Sequence, residues 1–303
     1  MLDLIKDERN GIQYFKWTVK DPAQVFLLIH GMGAHSERWR FFAEYLLKKN
    51  SSSYSLELRG FGQTADYKGH IDSLDTYYHD IARIIEIIKS ENPGKKIILA
   101  GESMGGLIGF EFLLKYPLDA DALVCFSPAF ANNMKLNFSG VILPLFYNIK
   151  KQNLMPFTSS MCTRDTDYQK VMDADPREHR FATSALLLQI LFAQIRSTFF
   201  ANKMEKPVLF LLAGDDKDLL VDPKAAKKVF RRMIGSACLP AGRGLKPART
   251  GDIQLSKLIQ YPDMLHALSI EVGREKVFED VVDWINALIP LPFSQREKGD
   301  RQP

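Results

Sequence analysis

Lys96-Ile-Ile-Leu-Ala-Gly-Glu-Ser-Met-Gly-Gly106 is the stretch on which the reading of this chain turns. An apolar strand candidate, Lys96 to Ala100, runs into Gly101-Glu-Ser103-Met-Gly105, and an apolar helix candidate follows from Gly106 to Leu114. A GxSxG sequence at a strand-to-helix junction has a steric meaning, because only small flanking residues permit a turn sharp enough to lift the serine hydroxyl clear of the sheet. The pentapeptide alone is a weak signal. Its setting after the clearest strand in the sequence makes Ser103 the candidate nucleophile.

Working outward, Gln24-Val-Phe-Leu-Leu-Ile-His30 is a short apolar run that stops at Gly31 and Gly33, as a buried strand ending in a tight loop would. Helical spacing follows over Glu37 to Lys49, then a Ser-rich turn and a second strand ending near Leu58. Leu74 to Lys89 places Tyr77, Ile81, Ile84, Ile85 and Ile88 on one helical face before Asn92-Pro93-Gly94 ends it. Ala122 to Phe126 and Pro207 to Ala213 read as further strands. Strands that alternate with helices predict an α/β architecture, a mostly parallel central sheet with helices on both faces. The alternation fails between Pro128 and Pro207, where helical segments such as Phe181 to Phe200 take over. Residues 1–128 and 207–290 are therefore expected to form the core, with 129–206 as an inserted helical cap over the strand ends.

A serine hydroxyl needs a base within hydrogen-bond reach and a third group to orient that base. Of the six histidines, His266 follows Tyr261-Pro-Asp-Met-Leu after the last strand and before the final helix, so it alone fits the chain order nucleophile, acid, base. The acid is expected just past Val208 to Ala213, where Gly214-Asp-Asp-Lys-Asp218 offers three candidates. Backbone N–H groups of Met104, next to the nucleophile, and Met32, in the loop after the first strand, are the expected oxyanion donors.

Composition excludes several other classes. Forty basic and 36 acidic residues are scattered along the 303-residue chain, with no basic tract of the kind that binds nucleic acid. Cys125, Cys162 and Cys238 have neither CxxC nor zinc-ligand spacing and read as reduced thiols of a cytoplasmic protein. Met1 to Gly11 lacks the apolar core of a secretion signal, and runs such as Ile97 to Ala100 and Val208 to Ala213 fall far below the ~20 residues of a membrane span, so a soluble chain is expected. The Gly-, Pro- and Arg-rich stretch 236–250 is expected to be a flexible loop and 294–303 a disordered tail.

Several segments together resemble the monoacylglycerol lipase and lysophospholipase group of α/β-hydrolases, which also takes in serine-aminopeptidase-like sequences. His30-Gly-Met-Gly-Ala-His-Ser-Glu-Arg-Trp39 is similar to the group's HGxGxHSxRY, Leu58-Arg-Gly-Phe-Gly62 to its LRGHG, and Gly69-His-Ile-Asp72 to its GHI(D) loop. Gly101 to Gly106 resembles its G(H/E)SMGG elbow and Tyr261 to His266 its YPGxxH. Two departures stand out: Glu57 where the group usually has aspartate, and the long stretch between Gly235 and Asp252.

The resemblance implies an α/β-hydrolase fold and ester hydrolysis through an acyl-enzyme, with no metal or organic cofactor. It also implies a lipid-like monoacyl ester as substrate, with peripheral contact between the cap and a membrane surface compatible with it. Asp218-Leu-Leu-Val-Asp-Pro223 resembles the group's D-x-(L/I)-V-(D/S)-P, which favours Asp218 as the acid, while a short G-x-D alignment leaves Asp216 as the alternative. Competing readings are a serine peptidase or other acyl hydrolase on the same fold, and a binding protein that keeps the fold without catalysis. Apolar cap segments, Val141 to Tyr147 and Leu186 to Phe192, favour an acyl chain.

Overall fold

The computed structural model describes residues 5–7, 11–134, 148–235 and 252–288. Val141 to Tyr147, Cys238, the stretch 236–250 and the tail 294–303 lie outside the described residues.

Eight strands form one sheet in the order β1-β2-β4-β3-β5-β6-β9-β10. They are β1 (Ile5–Asp7), β2 (Ile12–Trp17), β3 (Gln24–Ile29), β4 (Ser52–Glu57), β5 (Lys96–Glu102), β6 (Ala122–Phe126), β9 (Val208–Ala213) and β10 (Lys257–Tyr261). From β4 to β10 every pairing is parallel, whereas β2 runs antiparallel to both β1 and β4. This antiparallel edge was not anticipated from the sequence.

Both faces of the parallel strands are buried, so their side chains sort alternately into two apolar layers. Val25, Leu27 and Ile29 join Leu99, Leu123 and Phe210 on one side. Phe26 and Leu28 join Ile98, Val124 and Leu211 on the other. Helices α2 (Leu74–Glu91) and α3 (Met104–Lys115) cover the first face, and α1 (Arg40–Lys48) and α8 (Arg274–Leu288) cover the second. The ends of α2 are set by Ser73, whose hydroxyl accepts the Asp75 N–H, and by Asn92-Pro-Gly94, in which Gly94 takes φ +74°.

The chain leaves the sheet after β6 through Ser127, at φ 40°, and Pro128, and returns at β9. Between them lie a small hairpin, β7 (Gln152–Leu154) with β8 (Phe181–Thr183), and helices α4 (Ser159–Cys162), α5 (Thr166–Ala174) and α6 (Ser184–Phe200). The helix expected from Phe181 starts three residues later. Thr183 caps α6 by accepting the Leu186 N–H, and its own N–H is held by the Gly69 carbonyl, so the preceding residues are drawn out as a strand. With its continuation to Lys203, α6 is long and apolar enough to cross a membrane, at a mean hydropathy of 1.3. Phe181 to Phe200 reads as a helix in the sequence, where only shorter runs are weighed against the length of a membrane span. One face packs in the core through Leu186, Leu187, Ile190 and Ala193, and the other exposes Leu191, Phe192, Ile195 and Phe199.

Candidate active site

Ser103 sits between the end of β5 and the start of α3 with φ 55° and ψ −116°, a conformation that residues other than glycine rarely hold. Its neighbours show why the turn needs small residues. A Cβ on Gly101 would lie 2.3 Å from the Gly105 carbonyl oxygen, and one on Gly105 would lie 2.1 Å from the Ile29 carbonyl oxygen. The half-buried serine therefore projects at the rim of the sheet, where it lines a cavity together with Met32, Met104 and His266.

The loop after β3 is pressed against this turn, since a Cβ on Gly31 would come within 3.2 Å of both the Glu102 carbonyl oxygen and the Ser103 Cβ. The loop is held by buried polar groups. His30 Nε2 accepts the Leu58 N–H at 3.0 Å, which places the proton on Nδ1, within 2.8 Å of the Gly31 carbonyl. Burial lowers the His30 pKa to about 3, so the ring is neutral and acts as a strut. Glu57, the departure noted in the sequence, accepts the Ser36 N–H at 3.2 Å and its hydroxyl at 2.8 Å. It also fills the space beside Gly62, where a Cβ would overlap its carboxylate.

His266 is carried by the loop between β10 and α8, and its Nδ1 lies 2.9 and 3.0 Å from the two carboxylate oxygens of Asp218. Asp218 is 2% exposed, and its Oδ1 also accepts the N–H groups of Leu220 and Val221. Burial acts to lower the His266 pKa, but the facing Asp218 carboxylate outweighs it and holds the imidazole above the usual histidine range. Asp216, the alternative acid, is exposed on the same turn, and Asp215 is engaged with Lys227. Asp222 caps α7 (Pro223–Ile234) by accepting the Lys224 N–H.

Met104 is the first residue of α3, so its N–H has no carbonyl a turn earlier to bind. It lines the cavity together with Met32 and the serine. An apolar part of the lining is built by Met155, Phe157, Leu187 and Ile190 from the segment between β6 and β9.

The remaining wall is charged, and the sequence reading missed it. Arg38, from the first loop, forms a buried ion pair with Glu178, and Arg177 bridges Glu37 and Asp175. The Glu178 carboxylate raises the Arg38 pKa against the opposing effect of burial. These pairs, with the Gly33 carbonyl accepting the His179 N–H at 3.1 Å, clamp the 155–183 segment to the core. His70 does the same from the Gly69-His-Ile-Asp loop, its Nδ1 lying 3.0 Å from the Thr183 hydroxyl. No local pattern in the sequence marks such contacts, because the partners of Arg38 and His70 lie more than a hundred residues away.

The family described as serine aminopeptidase S33 (Hydrolase_4) matches residues 20–238. The chain is 26% identical over 281 residues to a monoacylglycerol lipase of Mycolicibacterium smegmatis, covering 90% of this chain and 92% of that one. It is 26% identical over 225 residues to the phospholipase YtpA of Bacillus subtilis, covering 71% and 83%. Among solved structures, the monoacylglycerol lipase of Paleococcus ferrophilus superposes with a TM-score of 0.76 at 20% identity, over 91% of this chain and 99% of that one. With the sheet order, the elbow at Ser103 and the match over most of its length, the chain belongs to the serine aminopeptidase S33 (Hydrolase_4) family of α/β-hydrolases.

Proposed function

We propose that this protein is a serine hydrolase that cleaves monoacyl carboxylic esters, of the monoacylglycerol or lysophospholipid kind, through an acyl-enzyme. The observation that carries the reading is the buried His266–Asp218 pair beside the strained Ser103 turn, in a cavity with one apolar wall. Ser103 Oγ attacks the ester carbonyl carbon while His266 Nε2 takes its proton and Asp218 balances the imidazolium. The carbonyl oxygen, now an anion, is met by the N–H groups of Met32 and Met104. Collapse breaks the bond to the alcohol, which leaves with the proton from His266. Water, deprotonated by the same histidine, then attacks the acyl-serine and releases the carboxylic acid.

The 129–206 segment acts as a lid in this reading. It supplies the apolar wall for the acyl chain, and the outer face of α6 contacts the lipid surface from which a poorly soluble ester is drawn. Exposed Lys224, Lys228, Arg231 and Arg232 on the neighbouring α7 suit anionic headgroups, and Arg232 stacks over Phe199 at 5.9 Å. Buried, free Cys125 and Cys162 suit the cytoplasm.

Reaction with a fluorophosphonate, followed by turnover of monoacylglycerol, lysophospholipid, short aryl esters and aminoacyl amides, tests the proposal. Labelling at Ser103 and preference for the monoacyl lipids are expected. Hydrolysis of the amides alone would favour a peptidase, and absence of labelling in folded protein would favour a binding role.

A further inference from the structure

Glu102 precedes the candidate nucleophile and is 5% exposed, yet no step above uses its carboxylate. Its two oxygens are both engaged by one residue on the far side of the site: Oε1 accepts the Ser269 N–H at 3.0 Å and Oε2 the Ser269 hydroxyl at 2.9 Å. Ser269 is fully buried and stands three residues after His266. The same loop is held from its other end by Glu271, also fully buried, which accepts the Leu265 N–H at 3.0 Å and the Arg164 N–H at 3.1 Å. A buried carboxylate is costly unless such donors meet it, and two that hold one loop mark a fixed geometry rather than ordinary packing.

We infer that Glu102 is a positioning residue that ties the turn presenting Ser103 to the loop presenting His266, so that the separation of nucleophile and base is set by one side chain. The link is short and direct. It joins residues 167 apart in sequence, one next to Ser103 and the other three residues after His266. Loss of it lets the His266 loop shift relative to Ser103 without removing the Asp218 contact, which the ring makes through its own Nδ1. Glu102 also places negative charge near the imidazole. The charged groups acting on His266 are Asp218, Glu102 and Arg38, and Glu102 in turn faces His266, Arg38, Tyr168 and Cys162.

This inference rests on the serine-hydrolase reading. The test compares Glu102→Gln, Ser269→Ala and the double variant with the wild type, by the rate of fluorophosphonate reaction per titrated site, by kcat and KM on a short aryl ester, and by the pH profile of kcat/KM. Since displacements near 1 Å cost up to about a hundredfold, Glu102→Gln is expected to slow phosphonylation and kcat by roughly ten- to a hundredfold with KM within about threefold. The acid limb of its profile should move to lower pH, as a negative charge near His266 is lost. Ser269→Ala should show a smaller fall, and the double variant little more than Glu102→Gln alone. Folded variants with wild-type rates per site and an unmoved acid limb would overturn the inference, as would a loss of activity explained wholly by fewer titrated sites. Should Glu102→Gln not fold, Ser269→Ala is judged by the same rates. A wild type that never reacts overturns the serine-hydrolase reading and this inference together, whereas a reactive wild type with unaltered variants overturns this inference alone.

Discussion

Nδ1 of His266 meets both carboxylate oxygens of Asp218, at 2.9 and 3.0 Å, while the Oδ1 of that aspartate is pinned by the N–H groups of Leu220 and Val221. The ring is thereby oriented with Nε2 free for the cavity, and its partner cannot swing away without stranding two buried amides. Asp218→Asn keeps the shape but offers an amide in place of a carboxylate. Turnover should fall by roughly 10⁴-fold. Asp216→Asn, at an exposed position, should stay within a few-fold of wild type. Parallel assays of both variants on one ester check this, and the reverse pattern would move the acid to Asp216.

Ser103→Ala should lose roughly 10⁴- to 10⁶-fold in turnover with the fold retained, because the half-buried serine lines the cavity and is not one of the buried core residues. Circular dichroism and active-site labelling of the purified variant are the readouts. Substantial residual hydrolysis would remove Ser103 from the mechanism.

The pH dependence follows from the raised pKa of His266, where the Asp218 carboxylate overcomes burial. Only neutral imidazole accepts the serine proton, so kcat/KM should fall as pH drops through a midpoint above the ordinary histidine value near 6.5. For stability the sign is opposite: the folded state binds the proton more tightly than the unfolded chain. That contribution is fully present below the unfolded pKa and is lost as pH rises through the folded one. In Asp218→Asn, burial is opposed only by the Glu102 carboxylate and the acid limb should shift to lower pH. A limb that stays in place would show that another charge governs His266.

Glu178→Ala leaves the Arg38 guanidinium buried without its carboxylate and should cost about 3–5 kcal/mol in urea unfolding. Replacing both partners with apolar residues, Arg38→Met with Glu178→Leu, should recover much of that loss. A single variant as stable as wild type would mean that the clamp is reached by water.

Leu191→Gln, Phe192→Ser and Phe199→Ser on the outer face of α6 should weaken co-sedimentation with vesicles of anionic phospholipid while leaving hydrolysis of a water-soluble short ester near wild type. Unaltered sedimentation would remove the lipid-surface role from this helix.

Much of this architecture is legible in the sequence because the signals are local. An apolar run bounded by glycine reads as a strand wherever it falls, and Gly101-Glu-Ser-Met-Gly105 carries its own steric reason for the turn that the structure holds at φ 55°. The order of segments is enough to single out His266 from six histidines, since only it follows the last strand.

The antiparallel β2 escaped because Ile12, Tyr14, Phe15 and Trp17 are buried on both faces, which leaves no alternation to detect. Asp216 and Asp218 differ in no way that composition records, being two carboxylates in one turn, and only the packing of that turn buries one and exposes the other. The charged wall is further from reach, for Arg38 meets Glu178 across 140 residues and Glu102 meets Ser269 across 167. Such contacts depend on how distant loops close over the sheet edge, where each carboxylate is tolerated only because the fold delivers its donors to it. Sequence alone determined the strand–turn–helix that presents the serine; tertiary structure decided which charges surround it, because burial belongs to the assembled chain and not to any one segment.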